Sequence, residues 1–218
     1  GGGRMNPLVT QVLPFLGIHL PDDNYRRFAR EDEAGRKQFL EDLRATAALL
    51  YSVPSLAVWV PFNEGWGQFD SLSAVRLLRE LDPTRLVDHA SGWHDQGGGD
   101  FKSHHVYFRP VRMKNDGVRV LALTEFGGYS LPIEGHTAGS RAFGYRRYAA
   151  VKEFFDAYEK LFLEEVLPHI ESQGLSVSVY TQLSDVEDEV NGLLTFDRRV
   201  CKVDPERGRE INERLRFS

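Results

Sequence analysis

Two rhythms of apolar residues alternate along the chain. One is the short continuous run: "LAVWVPF" (56–62), "RLVDHA" (85–90), "SHHVYF" (103–108), "RVLALTE" (119–125) and "SVSVYTQ" (176–182). Runs of this length, rich in β-branched and aromatic residues, predict strands, and "VWVPF" (58–62) reads as one buried on both faces of a parallel sheet. The other rhythm is helical. In "GRKQFLEDLRATAALLYS" (35–52), Phe39, Leu40, Leu43, Ala47 and Leu50 recur at helical spacing, and Pro54 disfavours helix at the residue before it. A second helix is predicted over Ser71–Leu81, closed by Asp82-Pro83. A third runs over about 145–173, with Tyr148, Val151, Phe155, Tyr158, Phe162 and Val166 on one face. The last begins at Asp204 as N-cap, with Pro205 in the first turn.

Strands that alternate with helices imply an α/β fold with a parallel sheet, either doubly wound or a (β/α)8 TIM barrel. No phosphate-binding glycine loop follows any strand, which argues against a nucleotide-binding doubly wound sheet. "GGGD" (97–100) has no helix after it and reads as a flexible barrel loop. Polar and aromatic residues gather at the strand ends: Asn63-Glu64-Gly65-Trp66, Asp88-His89, His104-His105-Val106-Tyr107, Thr124-Glu125-Phe126-Gly127 and Tyr180-Thr181-Gln182. In a barrel such ends converge on the face where active sites are built.

Composition narrows the function classes. With 218 residues, 41% hydrophobic, the chain can bury a sizeable core. A net charge of −5, with acids and bases interspersed, argues against a nucleic-acid partner. No segment is long and apolar enough to span a membrane, so no membrane partner is expected. The single cysteine, Cys201, excludes an internal disulfide framework and a multi-cysteine metal site. Neither a metal nor another cofactor is expected. The opening "GGGRMNPLVT" resembles the inside of a loop, so the natural N-terminus is expected to lie upstream; compartment stays open, with the cytoplasm slightly preferred.

Glu64 and Glu125 end two separate apolar runs, and a carboxylate is rarely buried without a partner or a task. Each could simply pair with an arginine or cap a loop. Two at matched strand ends suit glycoside hydrolysis, in which one carboxyl donates a proton and the other attacks the anomeric carbon.

The motifs "VWVPFNEGWGQFD", "DPTRLVDHASG", "LALTEFGG" and "VYTQLSDVEDEVNGLLTFDR" together resemble the catalytic barrel of glycoside hydrolase family 2, the retaining β-galactosidases, β-glucuronidases and β-mannosidases. The resemblance implies an incomplete barrel holding strands four to eight, with the first three strands and the upstream β-sandwich domains absent. It implies Glu64 as acid/base, Asn63 as the residue that hydrogen-bonds the sugar 2-hydroxyl, and Glu125 as nucleophile. It also implies a carbohydrate substrate, with β-galactosidase preferred because no Asn-Lys pair of the glucuronidase kind is present.

Supporting roles are assigned from residue type. Trp66 and Trp93 are candidate sugar platforms, while Trp59, inside a strand, reads as core. Only one of His104 and His105 can point into a barrel, and His105 is expected to bond the substrate or a catalytic Glu. Tyr107 and Tyr180 join the candidate binding residues, although Tyr180 stands where the family often has Trp. His89 and His94 could contact sugar or cap a loop. Asp185, Glu187, Asp188 and Glu189 read as a solvated acidic loop, with calcium a minority reading; Asn191 and Asp197 read as structural. The rival to a retaining glycosidase is a silent half-barrel, a structural or interaction module. Its open edges and apolar interior would favour poor solubility or a homo-oligomer. A carboxylate hydrolase of another barrel family is the third reading.

Overall fold

The computed structural model describes residues 12–139 and 141–216. The notable opening segment "GGGRMNPLVT" lies outside them. The chain falls into two compact units, one of residues up to 105 together with 116–120, the other of 106–115 with 121 onward.

In the first unit, helix α2 (Glu33–Leu50) follows a single turn, α1 (Leu13–Phe15). Asp32 caps α2 by accepting from the backbone N–H of Ala34 at 3.1 Å. Strand β1 (Val58–Trp59), helix α3 (Ser71–Leu81) and strand β2 (Leu86–Val87) form a strand-helix-strand unit, and the two strands pair in parallel, Trp59 opposite Val87. Ala47 of α2, Val75 and Leu78 of α3, Trp59 and Val87 close one apolar cluster. Phe62, Phe69 and Ala74 form a second. The strand after α3 is anchored by Asp82: it accepts from Trp59 Nε1 at 2.9 Å and pairs with Arg85, which also donates to the carbonyls of Val53 and Leu56. The Thr84 hydroxyl, then Trp59 and Arg85, hold the Asp82 carboxyl well below the usual range. The segment continues into strand β3 (Phe101–Val106).

The expectation that "VWVPF" is buried on both faces is corrected here. Trp59 is buried, but Val60 is 49% exposed, because among the described residues β1 pairs with β2 alone.

In the second unit, strand β4 (Val120–Gly127) pairs in parallel with β7 (Leu175–Thr181), Phe126 opposite Tyr180 and Gly127 opposite Thr181. Leu121, Ala122 and Leu123 are consecutive and all buried, the mark of a strand covered on both faces. The crossover is helical: α4 (Val151–Lys160), a π-helical stretch over Leu161–Val166, and α5 (Leu167–Gln173). Its buried stripe is Phe154, Tyr158, Leu161, Phe162, Val166 and Ile170. Pro168, with no N–H to offer the preceding turn, is the second residue after the π-helical stretch. Gly174 ends the helix at φ +67°, a left-handed cap. Helix α6 (Pro205–Arg214), capped by Asp204, puts Ile211 against the same core.

The third predicted helix begins later than its periodicity suggests. Residues 145–150 are extended, and strand β6 (Arg146–Arg147) pairs with β5 (Tyr129–Ser130), while Tyr145 N–H bonds Gly128 O and Tyr148 N–H bonds Ser130 O. Val151 is accordingly 48% exposed, not on the buried face. The parallel pairs are small, and none closes into a barrel among the described residues.

Candidate active site

Glu64 sits past β1 in a tight loop. Asn63 bridges Ser91, the Glu64 N–H bonds Ser91 O at 3.0 Å, and the Ser91 N–H bonds Phe62 O at 2.9 Å. Glu64 itself is left-handed, at φ +52°, followed by Gly65 at +68° and Gly67 at +71°. A non-glycine residue in that region is costly and is tolerated where the surroundings over-determine it. Gly65 is required for a second reason: a Cβ there would lie 2.8 Å from the ring of buried His94.

The Glu64 carboxylate meets a buried imidazole. His105 Nδ1 lies 3.1 Å from Glu64 Oε1, and its Nε2 lies 3.0 Å from Ser91 Oγ. Ser91 in turn bonds Asp88, which also accepts from the Ser103 hydroxyl at 2.9 Å. Burial pushes the Asp88 carboxyl up, and the hydroxyls of Ser103 and Ser91 act against that rise. An ionised carboxylate can only accept, so Asp88 draws the Ser91 proton toward itself. Ser91 Oγ is then placed to accept from Nε2 of His105, whose other ring nitrogen faces Glu64 Oε1. Asp88, Ser91, His105 and Glu64 thus form one continuous chain of polar contacts. Gly92 makes room for it, since a Cβ there would fall 2.3 Å from the His105 ring.

Glu125 has the opposite setting. The Tyr107 hydroxyl donates to Glu125 Oε2 at 2.5 Å and lies 3.1 Å from Thr181 Oγ1. Desolvation, followed by the bond to Glu125, pushes the Tyr107 phenol well above its ordinary value, so it stays a donor at neutral pH. The ring is stacked on Tyr145, centroids 3.9 Å apart and planes 10° apart. Gly127 and Gly128 explain "TEFGG": both have positive φ, a Cβ at Gly127 would strike the Tyr180 ring at 2.3 Å, and one at Gly128 would strike Tyr145 at 2.3 Å.

Other named residues are placed differently. Trp66 is 53% exposed and Trp93 is half-buried. Asn63 is exposed. Tyr180 is half-buried, with its ring edge-on to Phe126 at 5.6 Å and to Tyr158 at 5.2 Å. His94 is fully buried; its Nδ1 accepts from Leu20 N–H at 3.2 Å, and its carbonyl accepts from Gln68 and Gln96. His89 Nε2 accepts from Gln96 N–H at 2.9 Å. Both histidines organise the loop that follows β2. The acidic loop is not wholly solvated: Asp185 is buried and grips Lys202 Nζ at 2.7 and 2.9 Å. A carboxylate taken out of water in this way needs such a cation, and Lys202 comes from later in the chain, so local sequence carries no sign of it. Glu189 and Asn191 are joined through the Gln182 amide, and Asp197 accepts from Thr195 and contacts His136. Cys201 is free and exposed.

Ser91, Ser103 and Tyr145 had no role in the sequence reading. Gly92, beside a strand end that carries polar residues, is the signal that could have pointed to Ser91 and its close approach to a ring. No protein-family model matches the chain, and no curated protein matches it. Among the described residues no helix is long and apolar enough to cross a membrane.

Proposed function

We propose that this chain carries the catalytic residues of a retaining β-glycosidase, resembling glycoside hydrolase family 2, in an incomplete (β/α)8 barrel with β-galactosides as the preferred substrates. The observation that carries the reading is the contrast between the two carboxyls. Glu125 accepts from the Tyr107 phenol, whereas Glu64 faces the His105 imidazole, which is backed by Ser91 and Asp88. Environments that treat two carboxyls oppositely are how one pH supports an acid and a nucleophile together.

In this reading Glu64 gives its proton to the glycosidic oxygen while the Glu125 carboxylate attacks the anomeric carbon. The aglycone leaves as an alcohol and a glycosyl ester remains on Glu125. Glu64, now a carboxylate, takes a proton from water, which attacks the ester; the sugar departs with retained configuration and both groups return to their starting states. His105 bonds the Glu64 carboxyl and orients it. Tyr107 stabilises the charge on Glu125 before attack and must release it as the ester forms.

The test is covalent trapping. A 2,4-dinitrophenyl 2-deoxy-2-fluoro-β-galactoside should add one fluorosugar to Glu125, read by peptide mass spectrometry, in the chain or in a longer polypeptide that supplies the three preceding strands. Labelling of another residue overturns the assignment of roles. Absence of labelling and of aryl β-glycoside hydrolysis in both proteins overturns the activity.

A further inference from the structure

A cavity of about 420 Å³ opens in the first unit beside the loop that carries Glu64. That volume is in the range of sites that hold a single ring-sized ligand. Asn63, Trp66 and Gly67, residues flanking Glu64, form one wall, and the first turn of α2 with Arg30 and Arg36 forms the other. Phe39, Phe62 and Phe69 pack against one another at its base, with Phe39 and Phe62 stacked at 5.0 Å.

The two guanidiniums are held in place without a carboxylate partner among the described residues. Arg30 Nε donates to Gly67 O at 3.0 Å and its Nη1 to Ala29 O at 3.1 Å. Arg36 lies over the Tyr25 ring at 3.8 Å and donates to Arg30 O. Gly67 turns at φ +71° and leaves room for the guanidinium, since a Cβ there would lie 2.0 Å from Arg30 Nη2. Asp32 also lines the cavity, so the three charged side chains leave an excess of positive charge. Backbone carbonyls fix the position of a guanidinium but do not neutralise it. Two such groups facing a cavity with an exposed indole at its rim suit a ring that bears an anionic substituent.

We propose that this cavity binds the leaving group of the substrate and selects one whose ring carries a carboxylate. The proposal rests on the glycosidase reading in one respect: the general acid must stand beside the departing oxygen, which puts the leaving group next to the Glu64 loop. In this arrangement Trp66 covers a face of the ring while Arg30 and Arg36 bind the carboxylate. Asn63 lines the same wall.

The probes are 4-carboxyphenyl β-galactopyranoside and its neutral isostere, 4-carbamoylphenyl β-galactopyranoside. Their dissociation constants are measured by calorimetry with Glu125→Gln protein, in which turnover is arrested, and their kcat/KM with the wild-type chain. The carboxylate should bind at least about tenfold more tightly, a preference that shrinks as salt is raised. Arg30→Gln or Arg36→Gln should bring the ratio of the two constants toward one. Equal binding of the two probes by the folded Glu125→Gln protein overturns the proposal without any need for the arginine variants. An arginine variant that folds and keeps the full ratio also overturns it. Preferential binding without hydrolysis supports the cavity and counts against the glycosidase reading; hydrolysis without preference does the reverse.

Discussion

Glu125 rides on an eight-residue strand whose residues Leu121, Ala122 and Leu123 are buried on both faces, whereas Glu64 follows a two-residue strand and sits in a left-handed loop conformation beyond it. In the second unit β4 carries the carboxylate at an irregularity of its ladder with β7, between the paired Leu123 and Phe126, and Tyr107, stacked on Tyr145, donates to it. In the first unit the ladder gives out early, and Glu64 is positioned by loop hydrogen bonds and the imidazole of His105. The comparison teaches that a long strand and a loop backed by a side-chain relay are alternative means of fixing a carboxylate. In the proposed reaction a relay should fail in smaller, chemically specific steps, whereas loss of the carboxylate on β4 should remove covalent chemistry outright.

Glu125→Gln should therefore have the largest effect, a fall on the order of 10⁴-fold or more in kcat for every aryl galactoside, whatever its leaving group. Glu64→Gln should cost about 10²–10⁴-fold with a poor leaving group such as methoxide but much less with 2,4-dinitrophenolate, which needs no acid. If the two variants respond alike to leaving-group acidity, the division of roles between the carboxyls fails.

Packing offers a sharper probe of the ladder. Phe154 is fully buried in the core cluster that also holds Leu121, Leu123 and Phe126 of β4, and Phe154→Ala should lower stability by about 3–5 kcal/mol in urea titrations. Gly128→Ala must displace the Tyr145 ring and with it Tyr107; the expected result is a loss of kcat exceeding that of Tyr107→Phe, which only deletes the hydroxyl. A Gly128→Ala protein with wild-type kcat would show that Glu125 does not depend on that stack.

The relay predicts the more modest change. Asp88→Ala takes away the acceptor that orients the Ser91 hydroxyl, so the contact between Ser91 and His105 is no longer held from behind. Activity should drop by about tenfold, with a displaced alkaline limb of the pH–rate profile, since network members contribute through one another. An unchanged profile removes Asp88 from the relay.

The smallest effect concerns acid stability. Asp116 is lowered to about 2, chiefly by the N–H groups of Arg119 and Val118, and Arg119 also draws Asp95 well below the usual range. A depressed carboxyl contributes stability above its unfolded value that is lost as pH falls through its folded value, here over about pH 4 to 2. Asp116→Asn should flatten the drop in melting temperature across that window and change little at pH 7.

Much of the fold was legible because its signals are local. Asp32, Asp204 and Asp82-Pro83 mark helix ends through their own backbone chemistry, and "RVLALTE" reads as a buried strand because consecutive apolar residues leave no face for water. The extended segment at 145–150 was not legible: its aromatic spacing fits a helix, and only pairing with Tyr129 and Ser130 decides otherwise. The contacts of Tyr180 with Phe126 and Tyr158 were not legible either, because which way a strand-end ring faces depends on what packs beside it.

By itself the sequence determined the order of strands and helices, the presence of a carboxylate at two strand ends, and the glycines that must follow them. Periodicity, capping and φ preference act over a few residues, so each is written in the segment it governs. Tertiary structure alone decided that Lys202 would neutralise Asp185, that Val60 would face water, and that Ser91 and Asp88 would stand behind His105. Those pairings join residues distant in sequence, and a buried charge or hydroxyl finds its partner only when folding has excluded the water that would otherwise serve.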